Sequence, residues 1–215
     1  MIDQHEQSFI RHGLYRLQQQ QQKQQKSPMT LNQKVVVCAQ GQLGKKIGAG
    51  ACWDLGESAL KQAGAQTSNV LGPVGDDTDY IWGDQIDMKD VQPGDIIQIR
   101  DHEVTTTTET EYTFSDGTSI NDTKSSVAQR GHHTAIANGK LDADGSLKNL
   151  EQHVKPLGEK VQNKTLFTRD VSPLVKKKFE KKLNPTTHKT ETVEVTTTVT
   201  VTVTGKTWVY RPKPK

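Results

Sequence analysis

A chain of 215 residues can bury one sizeable core but hardly two full domains. Only 32% of its residues are hydrophobic and aromatics are few, so part of it must be tail or exposed strand rather than core. A net charge of +3 gives no ground for a nucleic-acid partner, two cysteines make no disulfide framework, and no run of about 18 apolar residues is present to cross a membrane.

The first 30 residues hold a nearly pure glutamine tract from Gln18 to Gln25, which has no apolar face to bury and predicts a disordered leader. No apolar segment of a secretory signal is visible there, so the cytoplasm is the default expectation. The folded domain is expected over residues 31–215. Asn32 is placed to cap a helix carrying Val35, Val36, Ala39 and Leu43 at helical spacing, closed by Gly44. The turn Gly48-Ala49-Gly50 leads into a second helix that starts at or just before Cys52. Its buried stripe is Leu55, Ala59, Leu60 and Ala63, and Gly64 is its stop.

QPGDIIQIR turns at Pro93-Gly94 and continues as a strand through Ile96, Ile97 and Ile99. HEVTTTTETEYTF and SDGTSI read as a hairpin or extended arm, and HTAIAN, SLKNLEQHV and KTLFTR as short strands. VSPLVKKKFEKKL predicts a short basic helix from Pro173, inside a lysine-rich stretch over 155–189 that reads as a solvated face. ETVEVTTTVTVTVT alternates as a strand, and KTWVYRP closes the chain. Helices first and strands afterwards predict an α+β fold with an antiparallel sheet, plus a Thr-rich β-ribbon where the two threonine strands pair.

Cys52 carries the most chemistry. At a helix N-terminus, free backbone N–H groups and the positive end of the helix dipole stabilise a thiolate and can hold an oxyanion. Cys38, beside Val35 and Val36, reads as core. A thiol nucleophile needs a base, and GHHTAIAN supplies His132 and His133. Strand alternation puts His133, Ala135 and Ala137 on one face and His132, Thr134 and Ile136 on the other. The next strand offers Glu151 and His153, two apart and so on one face. Either is a candidate to orient His133, and a carboxylate there could fix its tautomer.

GACWDLGESAL, YIWG, QPGDIIQI, HHTAIA and LEQHV, in that order, resemble the CHAP and NlpC-like amidase/endopeptidase superfamily over roughly residues 31–154, with KTWVYRP similar to its closing strand. The GACW and EQH wording is also similar to a cysteine-proteinase-fold domain of some fungal actin-patch proteins. The resemblance implies a papain-like fold with N-terminal helices packed on the sheet. It matches Cys52 to the nucleophile, His133 to the base and Glu151 to the third, polar member of a triad. His153 stands where CHAP members commonly carry Asn, and Asp95 falls in a Pro-Gly-Asp turn of structural role. It implies a peptide or amide substrate, with peptidoglycan as the favoured class. Calcium-binding CHAP domains place acidic residues shortly before the cysteine; residues 45–51 contain none, so no calcium is expected there.

His102, His132, His133 and His153 show no tight His-x-x-x-His pair, and no metal or cofactor is expected. The expected function is a thiol hydrolase that cleaves an amide or peptide bond through Cys52, His133 and Glu151. The alternative is a papain-fold binding or scaffold module without turnover.

Overall fold

The computed structural model describes residues 28–75 and 77–215, and residues Leu31–Lys215 make up one compact unit. The glutamine tract of the expected leader lies outside the described residues. Helix α1, Leu31–Gln40, buries Val35, Val36 and Ala39. Helix α2, Cys52–Ala63, buries Leu55, Gly56, Ala59, Leu60 and Ala63, and ends at Gly64 in the left-handed region at φ 78°. A single turn, α3, follows at Ser68–Leu71. Because α1 already begins at Leu31, Asn32 lies within its first turn. It is therefore not the capping residue, and its side-chain NH2 donates to Asp95 Oδ1 at 2.5 Å.

The strands are β1 Asp84–Ile86, β2 Ile96–Thr113, β3 Ser119–Leu141, β4 Ser146–Glu151, β5 Gln162–Phe167, β6 Val171–Leu183 and β7 Thr190–Arg211. They form one antiparallel sheet in the order β1-β7-β2-β3-β4-β5, with β6 paired to β7. Strands β2, β3 and β7 are long enough to serve two regions. Near the helices β7 pairs with the short β1 and β3 with β4, which in turn carries β5; beyond, the long strands run on beside β6 as a threonine-rich ribbon.

Alternation along the strands divides the core. Ile96, Ile136 and Leu150 face the helices and meet Val35, Leu55, Leu60 and Trp82. Ile97, Ile99, Ala135, Ala137, Leu147, Leu166 and Val209 form a second cluster on the opposite face. A small third cluster of Phe114, Val193 and Val195 lies in the ribbon.

The α+β, papain-like class expected from the sequence is corrected by this architecture. Strand takes up 52% of the described residues and helix 16%, with only three short α-helices, so the protein is a β-rich antiparallel-sheet fold. Two departures account for the shift. The segment VSPLVKKKFEKKL, expected to be helical, is strand β6, in register with β7 from Leu174↔Val199 to Leu183↔Thr190. Its lysines have fair helix propensity, but the open edge of β7 offers a complete row of backbone partners, and tertiary pairing prevails. HTAIAN is not a separate strand either: it is the end of the 23-residue β3. Among the described residues, no helix is long and apolar enough to cross a membrane.

Asp95 ties the proximal region together. Its buried carboxylate accepts from Asn32 of α1, from the backbone N–H of Gln92 at 2.9 Å and from Arg211 at the end of β7, also at 2.9 Å.

Candidate active site

Four segments distant in sequence converge at the tip of α2. The loop before it is held from two sides. Within the helix, Asp54 reaches back and accepts from the N–H groups of Gly50 and Ala51 at 3.1 and 3.0 Å, satisfying donors that a helix start leaves free. From the sheet, the buried amide of Gln152 accepts from the N–H of Ile47 at 2.9 Å. It donates to the carbonyls of Ile47 and Ala51 at 3.0 and 2.7 Å. Cys52 is thus the residue next to a clamped carbonyl.

Gly56, one turn into α2, sets how close the helix comes to the sheet. A Cβ there would lie 2.9 Å from the ring of Trp82 and 3.4 Å from the methyl of Thr134. Having none, the helix settles against β3 at the residue next to His133. Gln98 supports this point from below, accepting from Trp82 Nε1 at 3.0 Å and from the Thr134 hydroxyl at 3.2 Å.

Glu151 lies opposite Ala135 in the β3–β4 pairing, two residues along β3 from His133. His133 Nε2 is 3.1 Å from Glu151 Oε2, an ion-pair contact that lies off the line a ring N–H hydrogen bond requires. Glu151 is fully buried and takes two hydrogen bonds from Arg130, from Nε at 2.8 Å and from a terminal nitrogen at 3.0 Å. A carboxylate out of water needs such a cation.

These neighbours set the ionisation of the site. Burial pushes the Cys52 thiol up, but the hydrogen bond and charge of His133 outweigh it. Backbone hydrogen bonds from Thr134 and Trp53 help, and the net pKa falls below the ordinary thiol value. For His133, burial works against the charged ring, yet its contacts with Cys52 and Glu151 win and raise it to about 9. Burial would also raise Glu151; the contacts and charges of His133 and Arg130 hold it down at about 2. All three shifts favour one state: thiolate, imidazolium and carboxylate, with Arg130 balancing the charge.

The other sequence candidates lie apart from this cluster. His132 packs against Tyr80 with ring centroids 5.3 Å apart and planes tilted by 38°, and its Nε2 is 3.8 Å from Asp79. His153 does not share a face with Glu151. Strand β4 ends at Glu151, and His153 is exposed with φ 66°, so alternation stops before reaching it. Cys38 packs against the helix-side core. His102 is buried, with Nε2 2.9 Å from the carbonyl of Phe167, and burial lowers its pKa. Among the described residues, no group of three or more His, Cys, Asp or Glu converges to hold a metal ion.

Arg130 and Gln152 are the site residues that the sequence reading missed. A signal for the first was present, since Arg130 is the arginine nearest His133 in sequence and a carboxylate that proves to be buried demands a cation. For Gln152 there was only its place beside Glu151.

Fold and site together define a β-rich antiparallel-sheet protein with a cysteine at a helix tip, facing a histidine backed by a buried carboxylate. Compared with protein-family models, with curated proteins and with solved structures, the chain matches none.

Proposed function

We propose that this protein is a thiol hydrolase acting on an amide or peptide bond. The observation that carries the proposal is the His133–Glu151–Arg130 array, with His133 Nε2 3.1 Å from a buried carboxylate held by Arg130, together with the mutual influence of His133 and Cys52 that lowers the thiol and raises the imidazole. The resemblance of the GACW, HHTAIA and LEQHV segments to cysteine amidases and endopeptidases supports the same chemistry.

In this mechanism the Cys52 thiolate attacks the substrate carbonyl carbon. The C–O electron pair moves to oxygen, next to the first-turn N–H groups of α2, which have no partner within the helix. As the tetrahedral intermediate collapses, the C–N bond breaks and imidazolium His133 gives its proton to the leaving amine. A thioester remains on Cys52. Neutral His133 then takes a proton from water as the water attacks the thioester, and the acid product and thiolate are released. Glu151 stabilises the charged imidazole, and Arg130 keeps Glu151 ionised.

The test is alkylation by iodoacetamide, together with cleavage of a fluorogenic peptide-amide library and of peptidoglycan fragments. Wild-type protein is expected to label at Cys52 below pH 7 and to cleave at least one substrate; Cys52→Ala abolishes both and keeps the fold. Cleavage that persists in Cys52→Ala, or a Cys52 that reacts only near pH 8.5 like an ordinary thiol, overturns the proposal.

A further inference from the structure

Strand β4 leaves β3 early. It pairs with Ala135, Ile136, Ala137 and Leu141, while β3 from Ser119 to His133 pairs only with β2. The stretch just before the site therefore presents an open β-edge. Val127, Ala128 and Gln129 are exposed there, and Arg130 follows them. Across from this edge stand His153, Val154, Lys155 and Lys164, and the two sides bound a cleft of about 470 Å³.

Among the described residues, no carboxylate lines that cleft and its charged residues are basic. The Lys164 ammonium donates to the carbonyl of Lys155 at 3.0 Å. Neither Lys155 nor Lys164 has a carboxylate partner among the described residues. The cleft also connects to the site. Arg130, in its wall, is the residue bonded to Glu151, and His133 is three positions further along β3, about 10 Å at strand rise.

We infer that this cleft binds an extended acidic peptide as an added strand on the edge of β3, with its carboxylates toward Lys155 and Lys164. Backbone hydrogen bonds to Val127–Arg130 supply the register, as in strand addition generally, and the lysines supply selectivity. The inference rests on the proposed hydrolase and names its substrate class. A peptide laid along this edge runs directly toward His133 and Cys52. Strand β4 ends at Glu151 and takes no part in this edge.

The experiment uses full-length Cys52→Ala protein and a fluorescein-labelled hexapeptide of alternating Glu and Val, read by anisotropy. Three controls accompany it: the Lys/Val counterpart, a Glu/Val peptide N-methylated at alternate residues, and the double variant Lys155→Glu/Lys164→Glu, checked for fold by circular dichroism. The acidic peptide is expected to bind. The basic peptide and the double variant should weaken binding at least about tenfold, and N-methylation should abolish it in one of its two phases. Equal binding of acidic and basic peptides, or no loss in the double variant, overturns the inference. So does self-association of the protein through this edge that excludes the peptide. Because Cys52 is absent from the binding assay, its outcome is separate from catalysis. Binding without cleavage by wild type rejects the hydrolase alone, and cleavage indifferent to the lysine reversals rejects the cleft alone.

Discussion

The side-chain amide of Gln152 donates to the carbonyl of Ala51 across 101 residues of sequence, at 2.7 Å. One strand-end residue thereby holds the loop from which the nucleophile's helix starts, immediately beside the carboxylate that backs the base. Glu151 and Gln152 are neighbours in the chain and serve opposite halves of the site.

Replacing Gln152 with Ala leaves the Ile47 N–H without its partner and takes one donor each from the carbonyls of Ile47 and Ala51, which keep the N–H groups of Gly50 and Asp54. A loss of about 1–3 kcal/mol in stability is expected from urea unfolding, with alkylation of Cys52 slowed at pH 6.5. Gln152→Glu should do no better, because a carboxylate cannot donate to either carbonyl. Unchanged unfolding midpoints for both variants would show the clamp to be idle.

The ionisation of Glu151 and His133 predicts how stability varies with pH. Glu151 is depressed to about 2 when folded, so its contribution is present above the unfolded carboxylate pKa and is lost as pH falls through about 2. His133 is raised to about 9, so its contribution is full below the unfolded histidine pKa of about 6.5 and is lost as pH rises through about 9. Both act together between about pH 4.5 and 6.5. Thermal unfolding should show a maximum in that window. Glu151→Gln should flatten its acid limb and His133→Gln its alkaline limb. A maximum that stays in place in both variants contradicts the assignment.

Arg130→Met removes the cation from a fully buried carboxylate. The variant is expected to lose about 3–5 kcal/mol, or to keep its fold with Glu151 protonated. In the second case the alkylation profile of Cys52 moves toward higher pH, because the imidazolium loses its counter-charge. Pairing the change with Glu151→Gln should recover much of the stability, and a double-mutant cycle measures how much.

Gly56→Ala tests the close approach of α2 to β3. The added methyl meets the Trp82 ring at 2.9 Å, and the helix must lift or the ring must shift. A loss of about 1–3 kcal/mol is expected, with slower alkylation of Cys52 and no change at Cys38. Gly56→Ala with Trp82→Phe, which makes room, should restore part of both.

Much of the proximal chemistry was legible in the sequence. The stripe from Leu55 to Ala63 marks α2, and Cys52 stands at its start. HTAIAN marks the strand that carries His133, and Glu151 ends the strand that pairs alongside. The partner of Glu151 was not legible. Arg130 comes within reach only because β4 pairs with β3 in a register that brings Glu151 opposite Ala135. Nor was the fate of the lysine-rich segment legible: its residues suit an exposed helix or an exposed edge strand, and only the free edge of β7 decides between them.

Sequence by itself determined which residues could do chemistry, and the local elements that carry them, because helix periodicity and strand alternation are properties of near neighbours. Tertiary structure alone decided that the sheet would dominate the fold, that Arg130 and Gln152 would complete the site, and that His153 would turn away from it. Those outcomes depend on cross-strand register and on the need to satisfy buried charges and backbone groups, which are set by segments 20 to 100 residues apart.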